Sequence, residues 1–166
     1  LRDSGSGIFH RSSEDESVRL VGLEAGGRGV STGEHAARFA AGERGVLHGA
    51  FTYVMQDEDG QTVESHSVSA GLDYPSVGPE HSYLASIGRA EYPPVADPEV
   101  LEAFSLLARS EGILCAFESA HAIAWLVREA PTLQGQTVVV CLSGRGDKDV
   151  AQAMELIGGD PATGDA

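Results

Sequence analysis

The chain has 166 residues, 42 % of them apolar, which is enough for one domain with its own core and excludes disorder throughout. Lys and Arg number 11 against 25 Asp and Glu, a net charge of −14, which excludes an electrostatic footprint for nucleic acid or for an anionic membrane surface. No apolar run approaches the ~20 residues that span a bilayer, the first residues hold no apolar signal core, and Cys115 and Cys141 are too few and too far apart for a disulfide framework or a cysteine zinc site. A soluble cytoplasmic protein is the expectation. Lys148 is the single lysine, so chemistry that needs a Schiff-base lysine has one candidate here.

Taken in chain order, residues 1–17 are polar and Gly/Ser-rich and read as a frayed start. Residues 18–23 are a short apolar run expected to form a buried strand, ended by a Gly-rich turn over residues 24–29. Residues 31–42 suit a short helix with Ser31 or Thr32 as N-cap. Residues 46–55 are β-like, residues 57–60 make a hairpin-type turn, and residues 61–68 return. Residues 69–82 are so rich in turn formers that a functional loop is expected. Asp97-Pro98-Glu99 opens a helix, with Asp97 as its cap. Val100, Phe104, Leu107 and Ala108 form its apolar face, and Gly112 ends it. Residues 113–117 read as a strand or a turn, and residues 119–130 as a helix stopped by Pro131. Residues 137–142 (Thr-Val-Val-Val-Cys-Leu) are the clearest buried strand in the chain. A loop at 143–147 and a helix from about 148 to 157 follow. Strands that alternate with helices, and that read as continuous apolar runs, predict an α/β fold with a mostly parallel twisted sheet flanked by helices. Residues 18–158 make one domain, and residues 159–166 a loose tail.

The loop after the expected last strand carries the sharpest chemistry. Ser143-Gly144-Arg145-Gly146-Asp147 presents a hydroxyl and bare backbone N–H groups at a helix start, which suits an anion or a heteroaromatic nitrogen. A plain strand–turn–helix with Asp147 as N-cap reads equally well. Glu118 and His121 are three apart on one helix face, but a carboxylate-bridged metal bundle needs two such pairs. Gly5-Ser6-Gly7 lacks the preceding strand and the third glycine of a dinucleotide fingerprint. No serine sits in a Gly-x-Ser-x-Gly elbow. Arg145-Gly146-Asp147 as an adhesion tripeptide is treated as chance, and residues 57–59 as a solvated turn.

Several strings then occur in a fixed order. They are Gly33-Glu34-His35, Asp59-Gly60-Gln61, the run from Ser69 to Pro79, Gly88-Arg89-Ala90, Glu118-Ser119-x-His121-Ala122, and the run from Leu142 to Asp149. Together they closely resemble the C-terminal half of the tryptophan synthase β subunit, in the type II pyridoxal phosphate (PLP) family, over about residues 7–158. The resemblance implies the C-terminal part of a two-domain α/β fold with the N-terminal domain absent. It implies β-replacement, turning L-serine and indole into L-tryptophan and water.

Residue by residue, the resemblance implies that Ser143 hydrogen-bonds the pyridine nitrogen of PLP, beside Gly144. A hydroxyl there leaves that nitrogen unprotonated, which favours β-elimination and replacement over transamination. Glu118 lies near the cofactor ring. Asp73 helps close the site over substrate. The backbone carbonyls of Tyr74 and Ser76 form part of a site for K⁺ or Na⁺. Gly5 and Ser6 are a fragment of the phosphate-binding loop, making residues 1–17 its remnant. Leu47 and His48 stand where the family usually has aromatics along an indole channel. Lys148 matches the lysine after the Ser-Gly-Arg-Gly loop, so the Schiff-base lysine and the general-acid glutamate are missing. The expectation is a chain inactive alone that needs the N-terminal half of a β subunit. An α subunit and a second copy of the chain are further candidate partners, and an apolar patch facing the missing half should be exposed. The alternative is a non-catalytic homologue that binds or modulates a complete β or α subunit. An α/β domain with no activity is the third reading.

Overall fold

The computed structural model describes residues 4–158. The expected loose tail, residues 159–166, lies outside the described residues. Two parallel strand pairs carry the domain. After α1 (Ser4–Phe9) come β1 (Leu20–Val21) and β2 (Glu24–Gly27), then a single turn of helix, α2 (Arg38–Ala41). The antiparallel hairpin β3 (Glu43–Leu47) and β4 (Ala50–Val54) follows, then α3 (Pro79–Ser86), β5 (Ala90–Glu91) and β6 (Pro94–Ala96). The chain continues through α4 (Asp97–Glu111), α5 (Phe117–Glu129) and α6 (Val150–Gly158). β1 pairs with β5 and β2 with β6, both parallel. This is the mixed α/β architecture expected from the alternation of elements, with parallel pairs flanked by helices.

α4 and α5 supply most of the core. Val100, Ala103, Phe104 and Leu107 recur at i, i+3, i+4 and i+7 and are all buried, so one face of α4 is apolar. Phe117, Ala120, His121 and Ala124 do the same on α5. The two faces meet at Phe104 and Phe117, whose rings pack edge to face at 5.1 Å. Pro98 sits in the first turn of α4 and Gly112 ends it at φ 67°. Glu99 reaches back to accept from the Ala96 N–H at 2.9 Å. A second, smaller cluster joins Phe9, Leu20, Leu84 and Ala90.

The structure departs from the sequence expectations at several places. Residues 24–29 are not simply a turn: Glu24–Gly27 is a fully buried strand. A Cβ at Gly26 would lie 2.9 Å from the Val95 carbonyl oxygen, so glycine here permits close approach of backbones. The expected helix over 31–42 is confined to Arg38–Ala41, with a 3₁₀ turn at Val30–Thr32. The expected turn at 57–60 is present, closing an antiparallel bridge between Gln56 and Thr62, and a further hairpin turn that the β-like run 46–55 did not show lies at His48-Gly49, where both residues have positive φ (50° and 78°). The expected loop over 69–82 ends early, because Pro79 begins α3. Ala96, not Asp97, is the N-cap of α4, and the Asp97 side chain serves a loop instead. Residues 4–12 are helical rather than frayed, with Phe9 buried.

The largest correction concerns residues 137–142. They form no strand, and Val138, Val139 and Leu142 are 41 %, 77 % and 38 % exposed. A strand of this composition is stable only with sheet neighbours on its edges and helices on its faces. Among the described residues no strand pairs with it. Exposed apolar side chains occur here and elsewhere, among them Val46, Phe51 and Met154.

Candidate functional site

Three segments meet where α5 begins. Residues 114–116 run beside residues 144–146: the Ala116 N–H donates to the Gly144 carbonyl at 2.9 Å, and the Gly146 N–H to the Leu114 carbonyl at 3.0 Å. The buried carboxylate of Asp149 accepts from the Phe117 N–H at 3.0 Å and caps α5 from outside its own sequence. The Lys148 ammonium donates to Asp149 Oδ1 at 2.7 Å and to Glu118 Oε2 at 3.1 Å. Burial pulls Lys148 down, but these carboxylates outweigh it and hold its pKa above the ordinary range. Burial likewise raises Glu118, and its own backbone N–H, Lys148 and the Gly71 N–H together hold it below the ordinary carboxylate value. Both groups are therefore charged, and Lys148 lacks the lowered pKa of a nucleophile.

The loop over residues 65–76 lies against this junction and has no regular structure. Four side chains from four helices hold it. Glu118 of α5 accepts from the Gly71 N–H at 2.9 Å. A Cβ at Gly71 would stand 2.5 Å from Glu118 Oε1, so only glycine permits this contact. Asp97 of α4 accepts from the Val68 N–H at 3.2 Å and meets His66 Nε2 at 3.1 Å. Gln152 of α6 donates to the Val68 carbonyl at 3.2 Å. Arg38 of α2 donates from one nitrogen, Nη1, to the carbonyls of Leu72 at 2.9 Å and Tyr74 at 3.1 Å. Within the loop, Ser65 Oγ donates to Asp73 Oδ1 at 2.7 Å. The Tyr74 hydroxyl meets His48 Nδ1, at the tip of the β3–β4 hairpin, at 2.6 Å.

Arg38 is buried and paired with Glu24 of β2. Its Nε lies 3.0 Å from Glu24 Oε1. The same carboxylate accepts from the N–H groups of Arg38 and Phe39, both at 2.9 Å. Burial raises the Glu24 pKa and lowers that of Arg38, and their mutual attraction opposes both shifts. His121 is wholly buried, and its Nδ1–H donates to the Phe117 carbonyl at 2.7 Å. Burial lowers its pKa, so it is neutral, and its Nε2 has no hydrogen-bond partner.

The residues singled out in the sequence fall into two groups. Glu118, Ser143, Gly144 and the loop carrying Asp73, Tyr74 and Ser76 gather around the start of α5. Ser143 is exposed, immediately before the locked pair Gly144–Ala116. Gly5 and Ser6 lie in α1, where Ser6 Oγ is 3.5 Å from His81 Nε2, which belongs to the smaller core cluster's side. Sequence reasoning passed over Arg38, Asp97, Asp149 and Gln152 as loop and helix anchors. Asp149 stands inside a quoted string and Asp97 at a helix start, so both carried a signal. Arg38 carried none, because Glu24 is distant in sequence.

No protein-family model matches the chain. It is 58 % identical over 153 residues to the tryptophan synthase beta chains of Mycobacterium tuberculosis (strain ATCC 25618 / H37Rv) and Mycobacterium bovis. It is 57 % identical over 153 residues to the tryptophan synthase beta chain of Mycobacterium leprae. Each match covers 92 % of this chain but only 36 % or 37 % of the relative. The chain thus spans little more than a third of the length of the curated relatives it matches. In sequence it is similar to the C-terminal part of these tryptophan synthase beta chains.

Proposed function

We propose that the chain supplies one wall of a PLP site of the tryptophan synthase β kind. It works with the N-terminal half of such a β chain, in the same polypeptide or a separate one. The reaction is β-replacement, joining L-serine and indole to give L-tryptophan and water. Ser143 carries this reading: its hydroxyl is exposed, while the next residue is locked to Ala116. A fixed backbone with a free hydroxyl suits a hydrogen bond to a heteroaromatic nitrogen. PLP, when bound, supplies the electron sink for the chemistry at L-serine.

The fit to the cofactor is one-sided. Ser143 and Gly144 would hold the ring, and Glu118, fixed by Gly71 and Lys148, would stand on the same side as a charged group. Asp73, held by Ser65, rides on the anchored loop and closes over the substrate. Among the described residues the phosphate has no comparable seat: Gly5 and Ser6 lie in a helix of six residues. Lys148 is held charged by two carboxylates and does not carry the cofactor. Phosphate seat, cofactor lysine and general acid therefore come from the N-terminal half. The exposed apolar residues Val138, Val139 and Leu142 support a partner surface that completes a strand there. An α subunit is a further candidate partner of the assembled pair.

The test is a titration with PLP, with and without L-serine, of the purified chain alone and of the chain co-purified with the N-terminal half of a mycobacterial β chain. Alone, it is expected to give no protein-bound violet absorbance band. The pair is expected to give one, to form L-tryptophan, and to lose most of that activity in Ser143→Ala. A band from the chain alone that vanishes in Lys148→Ala overturns the reading. A pair that associates without binding PLP favours a non-catalytic modulator.

A further inference from the structure

We propose that Arg38 is a built-in cation that takes the place of K⁺ or Na⁺ at the loop carrying Asp73. The backbone carbonyls of Tyr74 and Ser76 were expected to face a free monovalent ion. The arrangement found is different: the Tyr74 carbonyl, together with that of Leu72, already accepts from Arg38 Nη1 at 3.1 and 2.9 Å. One charged nitrogen thus gathers the two carbonyls that flank Asp73. A bound metal ion would do the same for carbonyls in this loop, at the cost of being lost to solvent when its concentration falls.

The guanidinium is suited to this role by its surroundings. Arg38 is 6 % exposed and Glu24 is 1 % exposed, so neither exchanges freely with bulk ions. Glu24 is fixed by two backbone N–H groups and holds the Nε side of the guanidinium, leaving Nη1 aimed at the loop. The remaining charged groups at the loop point elsewhere: Asp97 to His66 and Val68, Glu118 to Gly71 and Lys148, Asp73 to Ser65. Among the described residues Arg38 is the only cationic side chain that donates to a carbonyl of this loop. A second cation at the Tyr74 carbonyl would sit against a guanidinium, and like charges at that distance repel. Arg38 is therefore a positioning residue. It acts on substrate through the backbone on either side of Asp73.

Amide hydrogen exchange of the full chain tests this, read at Leu72, Asp73 and Tyr74. The salts are the chlorides of K⁺, Na⁺ and tetramethylammonium at one ionic strength. The native chain is expected to exchange within about twofold in all three. Slowing by K⁺ or Na⁺ of about tenfold over tetramethylammonium overturns the proposal, because a metal ion then shares the carbonyls. The double variant Glu24→Gln with Arg38→Met removes the pair without leaving a lone buried charge. In tetramethylammonium its three amides are expected to exchange about tenfold faster or more. K⁺, or free guanidinium at low concentration, is expected to restore most of that protection. A double variant that folds and responds to no cation overturns the proposal. Arg38→Lys keeps the charge if the double variant fails to fold. It is expected to exchange less than about tenfold faster and to ignore K⁺, and a K⁺ response there overturns the assignment. The measurement needs neither PLP nor a partner chain, so its outcome is separate from that of the proposed catalytic role.

Discussion

Two stretches without regular secondary structure behave in opposite ways. Residues 65–76 have the poorer pattern, with glycine, serine and proline scattered through them. Yet side chains from α2, α4, α5 and α6 hold their backbone. Residues 137–142 have the best strand pattern in the chain and contribute no strand. Their backbone finds no ladder, and Val139 stands 77 % exposed. Polar anchors can order an irregular loop one backbone group at a time. An apolar run needs a whole surface at once, and its pattern says nothing about where that surface is.

Breaking the platform beneath the anchored loop gives the largest effect. Phe117 is fully buried against Phe104 and begins the helix that presents Glu118. Phe117→Ala is expected to lose about 3–5 kcal/mol in urea unfolding and to release protection at Gly71. Gly71→Ala attacks one anchor alone. Its Cβ would collide with Glu118, at an expected loss of about 1–3 kcal/mol, and crystallography of the variant should show the loop displaced from α5.

A pH series reads the buried histidines beneath the same platform. Burial holds His121 and His35 below the ordinary imidazole pKa, so the folded chain keeps them neutral while the unfolded chain protonates them. The unfolded state then binds more protons below about pH 6.5, so stability is full above that pH and falls below it. By pH 5.5 the loss is expected to reach up to about 1.4 kcal/mol for each histidine. His121→Phe should remove part of the slope in the urea midpoint between pH 7.5 and 5.5, leaving the share due to His35. An unchanged slope would sink the assignment. Asp149→Ala removes the outside cap of α5 and is expected to cost about 1 kcal/mol in the same assay. Smallest of all, Val139→Lys should change the stability of the chain alone by no more than about 0.5 kcal/mol. If residues 137–142 complete a partner's sheet, the same change should weaken co-purification with an N-terminal β-chain half. Val139→Lys therefore sharpens the comparison from its other side.

The elements legible in the sequence were those whose physics is local. α4 shows its apolar stripe, its Pro98 and its Gly112, and the structure starts and stops it there. α5 is equally plain, displaced by two residues at its start because the distant Asp149 supplies the cap. β2 was hidden because its glycines read as a turn, whereas Gly26 lets the Val95 backbone approach. The site was half legible. Glu118, Asp73 and Ser143 stood out as members of recognisable strings. Arg38 did not, because what defines it is Glu24 on a neighbouring strand and two carbonyls more than thirty residues further along.

Tyr74 is clamped at both ends, its hydroxyl by His48 and its carbonyl by Arg38. The tip of the β3–β4 hairpin is thereby wired to the backbone beside Asp73. The hairpin, whose Val46 and Phe51 lie side by side facing solvent, is thus joined at its tip to the loop through the Tyr74 side chain.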